Sequence, residues 1–111
     1  MFKVNALHDA PFGAEIVGLD LKDQMDAVTR DAINDAFLKH IALVFRDQDL
    51  TAEQYQDGGS NFGEPMKQHN ERFQLPGIPV VSRIINREKM RPASMWHTDH
   101  TNHERPPKAT V

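Results

Sequence analysis

Three of the six histidines in this 111-residue sequence stand close together, at His97, His100 and His103. Acidic residues are interleaved with them at Asp99 and Glu104. Imidazole nitrogen and carboxylate oxygen are ligands that divalent first-row metals accept, and the sequence contains no cysteine that could offer a thiolate. This histidine-rich segment is therefore the first candidate for a metal site.

The spacing of His97 and Asp99 suits an extended segment. In a strand, side chains two residues apart point to the same face, with Cα atoms roughly 6.5 to 7 Å apart. One imidazole and one carboxylate are two of the three ligands of the 2-His-1-carboxylate triad, which holds non-haem Fe(II). We therefore predict an extended segment over residues 95–101 in which His97 and Asp99 can converge on one metal ion. By parity, His103 shares their face and is a candidate for substrate contact, while His100 points away.

Regular elements must position this segment. Apolar residues at three- and four-residue steps predict an amphipathic helix over residues 25–40. Short runs with turn-forming residues around them predict strands. These strands are expected within residues 13–21, 41–45 and 78–85. The second run is continuously apolar, which predicts a strand buried on both faces.

Two further patterns concern a second helix and the loops. Thr51 and Gln54 have the spacing of a capping box and predict a helix start. The glycines within residues 57–60 are expected to keep that helix short or frayed, since each costs about 1 kcal/mol relative to alanine. Residues 63–77 carry glycine and proline without a period and predict a loop, and residues 87–94 predict a basic loop.

Composition limits the classes of partner and compartment. The net charge is −3 with both signs interspersed, which disfavours nucleic acid and anionic membranes as partners. No stretch approaches the ~20 apolar residues that cross a bilayer, and the first residues lack the apolar core of a secretory signal. We expect a cytoplasmic location. A hydrophobic content of 39% supports one modest core. The order of predicted elements mixes helices and strands, which leaves α+β and barrel topologies open.

Four stretches, in order, resemble the N-terminal half of the taurine/2,4-dichlorophenoxyacetate dioxygenase family of Fe(II)- and 2-oxoglutarate-dependent oxygenases. They are residues 12–21, 40–48, 62–65 and Trp96-His97-Thr98-Asp99. The resemblance implies an α+β fold, an incomplete double-stranded β-helix (jelly roll) with flanking helices. Residues 1–111 would be the N-terminal portion of a single dioxygenase domain, truncated before the family's distal histidine and its 2-oxoglutarate-binding arginine.

The resemblance also implies roles for individual residues. His97 and Asp99 become ligands of Fe(II), with 2-oxoglutarate as co-substrate and O₂ as oxidant, and Trp96 would pack behind the metal strand. His69 is the nearest match to a substrate-contacting histidine of the family. The implied reaction hydroxylates a small, anionic organic molecule. With two protein ligands, the chain is expected to bind Fe(II) weakly and to be inactive unless a C-terminal segment or a homo-oligomer complements it. Residues 57–60 depart from the family, which continues a helix there.

Two alternatives stay open. His97-Thr98-Asp99-His100 is similar to part of a His-x-His-x-Asp-His zinc hydrolase motif, with Met95 in place of the first histidine, and Zn²⁺ accepts the same donors. A hydrolase would lack the charge-transfer absorption of an anaerobic Fe(II) and 2-oxoglutarate complex. The other alternative is a non-catalytic fragment or interaction module, which robust 2-oxoglutarate turnover by this chain would exclude.

Overall fold

The structure is a computed structural model that describes residues 1–85 and 95–111. It divides into two compact units, Met1–Phe62 and Gly63–Val111. Helices and strands are both present, so the α+β class predicted from the sequence is confirmed. The predicted basic loop at residues 87–94 lies outside the described residues. Neither helix of the described ranges has the length and apolar character needed to cross a bilayer.

The first unit contains a three-stranded sheet in the order β1-β2-β3. Strand β1 (Lys3–Ala6) pairs antiparallel with β2 (Ala14–Val17), and β2 pairs parallel with β3 (Leu43–Phe45). Parallel neighbours need a long connection. Here that connection contains helix α1 (Ala27–His40).

Helix α1 is capped at both ends. Asp26 is the N-cap, and its Oδ1 accepts a hydrogen bond from the Thr29 N–H at 2.7 Å. The helix ends at His40, where Ile41 adopts a φ of 71° and donates its N–H to the Phe37 carbonyl at 2.7 Å. Between these ends Ile33 is completely buried. The predicted helix over residues 25–40 is thus confirmed from residue 27.

Strand β3 differs from its prediction in burial. Its three residues are half-buried, so the prediction of a strand buried on both faces is wrong. Full burial requires covering layers on both faces of a strand. In the described part of the chain, β3 stands at the end of the strand order with β2 as its paired neighbour. On one side, the Phe45 ring packs edge-on against Phe62 with centroids 6.2 Å apart.

Helix α2 (Ala52–Ser60) begins with the predicted capping box. The Thr51 N–H donates to Gln54 Oε1 at 2.9 Å, and the Gln54 N–H donates to Thr51 Oγ1 at 3.3 Å. The helix is short, as expected, but it continues through both Gly58 and Gly59. Gly58 is buried, and a Cβ atom there would lie 3.1 Å from Leu21 Cβ and 3.2 Å from the Leu21 carbonyl oxygen. The missing side chain therefore permits a close approach between α2 and Leu21.

The backbone of Leu21 is itself held in place. The Gln48 side chain accepts the Leu21 N–H at 2.7 Å through Oε1 and donates from Nε2 to the Arg46 carbonyl at 2.9 Å. Leu21 is also one of the buried apolar residues of the first unit. A group added at Gly58 would thus press on a backbone that is fixed from the other side.

We expect Gly58→Ala to lower the free energy of unfolding by about 1 kcal/mol. Alanine gains about 1 kcal/mol in helix propensity, but overpacking costs roughly 1 to 3 kcal/mol. Urea denaturation followed by circular dichroism measures the difference. Gly59→Ala is the matched control, because it makes the same propensity change at the next helical position. A Gly58→Ala chain as stable as wild type would contradict the close approach.

The second unit contains a β-hairpin that the sequence showed only in part. Strand β4 (Gln74–Leu75) pairs antiparallel with β5 (Ile78–Ser82) after a short 3₁₀ turn, Glu71–Phe73. Gly77 has a φ of 83° at the hairpin turn, after Pro76, as a type II turn requires. The strand predicted within residues 78–85 is confirmed for residues 78–82. The predicted loop over residues 63–77 is wrong in its last part, because a two-residue strand is too short to show a period.

Candidate metal centre

The segment that carries His97 and Asp99 is not a strand. Residues 96–98 are irregular, a turn begins at Asp99, and no described strand pairs with this segment. His100 adopts a φ of 53°, in the left-handed region that a β-strand excludes. The prediction of an extended segment over residues 95–101 is therefore wrong. A strand needs a hydrogen-bonded neighbour, and the described residues supply none here.

The turn nevertheless brings the two predicted ligands together. His97 Nε2 lies 2.9 Å from Asp99 Oδ1, and both side chains are about half exposed, at 49% and 50%. The other ring nitrogen, Nδ1, lies 2.8 Å from the Met95 carbonyl oxygen, to which it donates when protonated. A metal-binding histidine commonly uses one nitrogen in this way, which orients the ring and leaves the other nitrogen for the ion. The arrangement therefore presents Nε2 and a carboxylate oxygen side by side.

The separation of these two atoms suits a shared ion. Two donors at about 2.1 Å from one metal and at a right angle to each other lie roughly 3.0 Å apart. The distance of 2.9 Å from His97 Nε2 to Asp99 Oδ1 matches this value. Within residues 1–85 and 95–111, no three histidine, cysteine, aspartate or glutamate side chains are arranged to hold a metal ion. The described part of the chain thus offers two donors that fit a metal and not a complete ligand set.

Thr110 is a neighbour of Asp99 that the sequence did not indicate. Its hydroxyl donates to Asp99 Oδ2 at 3.5 Å, a long hydrogen bond to the oxygen that does not face His97. The two residues are eleven positions apart, and no helical or strand period links them. Both carboxylate oxygens of Asp99 therefore have a polar neighbour, of which His97 is the closer.

The environment of His97 favours its protonated form. Hydrogen bonding to the Met95 carbonyl, and next the hydrogen bond to Asp99, raise the pKa of His97 above its ordinary value of 6.5. A metal ion must displace the Nε2 proton before it can bind there. Proton competition at His97 therefore begins at a higher pH than for an ordinary histidine.

This raised pKa gives a pH prediction. We expect Fe(II) or Mn(II) affinity to fall as the pH drops through the His97 pKa, with the fall starting above pH 6.5. The contact with Asp99 has the opposite dependence: it is fully present at low pH and is lost as the pH rises through the raised pKa. Ring NMR titration of the metal-free chain measures that pKa. Asp99→Asn should move it down, and an unchanged pKa would contradict the contact.

The predicted substrate-contacting residues His69 and His103 form a separate cluster with His100. The His100 ring lies between two neighbours, with its centroid 5.3 Å from that of His69 and 5.0 Å from that of His103. Both pairs are nearly perpendicular, at 89° and 83°. We call His69, His100 and His103 the imidazole cluster. The prediction that His100 and His103 point to opposite faces of a strand is wrong, because a turn at His100 replaces the expected strand.

Trp96 also differs from its predicted role. Its side chain is fully exposed in the described structure, so the expected packing behind a metal strand is not observed. A tryptophan can pack behind a strand only where a second layer covers that face. The described part of the second unit provides the hairpin of β4 and β5 and no such layer over Trp96.

A cleft in the first unit lies at the carboxyl ends of the parallel strands β2 and β3. Its volume is about 400 Å³, and its lining includes Glu15, Asp20 and Arg46. These charged groups are already paired: Arg46 Nε lies 2.7 Å from Glu15 Oε1, and Lys22 Nζ lies 2.8 Å from Asp20 Oδ2. The cleft contains no histidine, and none of the predicted site residues lines it.

Comparison with known proteins identifies the class. The family model of the taurine catabolism dioxygenase TauD, TfdA family matches residues 3–111. The chain therefore belongs to this family, and the resemblance inferred from the four stretches is confirmed.

Individual relatives agree with this assignment. An alpha-ketoglutarate-dependent sulfate ester dioxygenase of Pseudomonas putida is 34% identical over 105 residues, which cover 89% of this chain and 33% of the relative. The crystal structure of a taurine dioxygenase from Burkholderia xenovorans superposes with a TM-score of 0.79 at 36% identity, over 96% of this chain and 37% of that one. The crystal structure of AAD-2 in complex with Mn(II) and N-oxalylglycine gives a TM-score of 0.55 at 30% identity. The match covers 62% of this chain and 27% of that one. The chain spans about a third of the length of the curated relatives it matches.

Proposed function

We propose that this chain forms part of an Fe(II)- and 2-oxoglutarate-dependent oxygenase in which His97 and Asp99 bind the iron. The observation that carries the proposal is the 2.9 Å separation of His97 Nε2 and Asp99 Oδ1, with Nδ1 directed at the Met95 carbonyl. The family supports it, as do the alpha-ketoglutarate dependence in the name of the Pseudomonas relative and the Mn(II) complex of AAD-2.

The architecture that goes with this function is also a proposal. Residues 1–111 would be the N-terminal portion of one dioxygenase domain, an incomplete jelly roll with α1 and α2 as flanking helices. The likeness to the taurine dioxygenase structure over 37% of its chain supports this assignment. A third protein ligand to the iron and an arginine for 2-oxoglutarate would come from a complementing C-terminal segment or from a second copy of the chain.

Residues of this chain near the metal would have separate roles in binding and orienting it. Bound Fe(II), together with 2-oxoglutarate and O₂, supplies the oxidation that hydroxylates a C–H bond of the substrate. His97 must release its Nε2 proton to bind, and the Met95 carbonyl keeps the ring in the orientation that exposes this atom. Asp99 would offset one positive charge of the ion, and its other oxygen lies 3.5 Å from the Thr110 hydroxyl oxygen.

The proposed substrate is a small, anionic organic molecule, with His69 as a contact and His103 as a further candidate. The sulfate ester and the taurine named for two relatives both carry acidic sulfur–oxygen groups. Both histidine side chains are exposed and so accessible to a ligand. Imidazole N–H groups donate hydrogen bonds to anionic oxygens, which suits such a substrate.

Anaerobic absorption spectroscopy tests the proposed cofactor pair. Because the chain offers two protein ligands, Fe(II) and 2-oxoglutarate are added at concentrations that saturate a weak site. We then expect a visible charge-transfer band when both are present, and no band when either is omitted. His97→Ala should abolish it, whereas His8→Ala, at an exposed histidine of the first unit, should leave it unchanged. A chain that binds Zn²⁺ and hydrolyses a substrate, but gives no band, would favour the hydrolase. The absence of both would favour a non-catalytic module.

A further inference from the structure

His100 is the member of the imidazole cluster that contacts both of the others. His100 directly follows the proposed ligand Asp99, and its ring contacts both His69 and His103. It is half-buried, while the two rings beside it are exposed. Its position between them makes it the only described side chain that touches both proposed substrate-contacting histidines through ring contacts.

We infer that His100 is a positioning residue that fixes the His69 imidazole relative to the segment that binds the metal. The inference rests on the proposed function, in which His69 contacts the substrate and Asp99 binds the iron. His69 lies on the segment before the hairpin, and His100 lies beyond the end of β5 in the chain. The ring contact between them therefore joins two parts of the second unit that are distant in sequence.

The angles between the ring planes favour one relative orientation of the imidazoles. A perpendicular arrangement places the positive edge of one aromatic ring against the negative face of the other, an orientation that rings prefer over face-to-face stacking. The angles of 89° and 83° are close to this arrangement on both sides of His100. A ring held between two such contacts limits the rotation of its neighbours, including the rotation that decides where the nitrogens of His69 point.

The backbone at His100 supports the same role. Its φ of 53° is uncommon for a residue other than glycine, although histidine is among the residues that adopt it more often. The His103 N–H donates to the His100 carbonyl at 3.0 Å and closes the turn. Unusual backbone conformations are kept where surrounding contacts determine them, and they concentrate at functional sites. Because of this turn, the His100 side chain does not follow the alternating pattern of a strand, and its ring contacts His69.

Ring NMR of the full 111-residue chain, without metal and above the ordinary histidine pKa, tests the contacts themselves. We expect nuclear Overhauser effects from the His100 ring to the rings of His69 and His103. His100→Ala should shift the His69 ring signals, and His100→Phe, which keeps an aromatic ring, should restore a ring contact to His69. His8→Ala should change neither. Missing ring contacts in the wild-type chain, or an unshifted His69 in His100→Ala, would overturn the inference.

Added Mn(II) separates this inference from the proposed function. We expect paramagnetic broadening of the His97 ring in the wild-type chain and in both His100 variants. Broadening of the His69 ring should be weaker in His100→Ala and return in His100→Phe. If His97 is broadened while His69 responds equally in all three chains, the positioning role is wrong and the metal site stands. If His97 is not broadened in any chain, the proposed function fails, and the role of His100 fails with it.

Discussion

Asp99→Asn is expected to weaken Fe(II) binding by at least about 10- to 100-fold, since even the loss of a residue that only orients a metal ligand has an effect of that size. Asparagine keeps the shape of the side chain but removes the charge that offsets the ion. His97→Ala should have a comparable effect, because it removes Nε2. Anaerobic calorimetric titration of the chain with Fe(II) measures both affinities.

The control for this change is Asp35→Asn. Asp35 is an exposed residue of α1 in the first unit, and its substitution changes the net charge of the chain by the same amount. Its affinity for Fe(II) should equal that of the wild-type chain. Equal losses at Asp35 and Asp99 would mean that the ion is attracted by overall charge, and unchanged affinity in Asp99→Asn would remove Asp99 from the site.

Ile33→Ala is expected to lower the free energy of unfolding of the first unit by about 2 to 5 kcal/mol. Ile33 is 0% exposed and is the largest fully buried side chain among the described residues. Its removal leaves a cavity between α1 and the elements that α1 packs against. Small domains are stable by only about 5 to 15 kcal/mol, so the loss is a large fraction of the total.

Urea denaturation followed by helical circular dichroism measures this loss. Val28→Ala is the matched control on the same helix, because Val28 is 78% exposed and its truncation leaves no cavity. Its effect should stay within about 0.5 kcal/mol. A loss below about 1 kcal/mol in Ile33→Ala would contradict the assignment of Ile33 to the core.

Local signals in the sequence were sufficient to predict the helices. The capping box of Thr51 and Gln54 forms as predicted, because both of its hydrogen bonds are made within one turn of chain. Helix α1 follows from apolar spacing, and only its first residues differ. Strand β2 and the whole of strand β5 likewise lie within the predicted ranges. Each of these elements depends on residues that are close in sequence.

The features that the sequence missed depend on residues that are distant in sequence. Gly58 allows helix α2 to approach Leu21, which lies 37 positions earlier, and this contact cannot be read from helix propensity. The exposure of β3 depends on which layers cover the sheet. These are properties of packing, and a pattern within one segment does not contain them.

The expectation that the side chains of His97 and Asp99 lie close together is correct, but the structural reason given for it is wrong. His97 and Asp99 were predicted to meet because alternate residues of a strand share a face. They meet instead through an irregular turn, and the same turn places His100 against His69. Residue type suggested the metal chemistry proposed for this segment, whereas its backbone conformation depends on the positive φ of His100, which no spacing rule predicts.

Pulsed EPR of bound Mn(II) tests the central claim, that His97 and Asp99 hold the metal, most directly. With the chain labelled with ¹⁵N, a histidine nitrogen on the ion gives a nuclear coupling that an aqueous ion lacks. We predict this coupling in the wild-type chain, its loss in His97→Ala, and its retention in His8→Ala and His103→Ala. No nitrogen coupling in the wild-type chain, or a coupling that persists in His97→Ala, would contradict the claim.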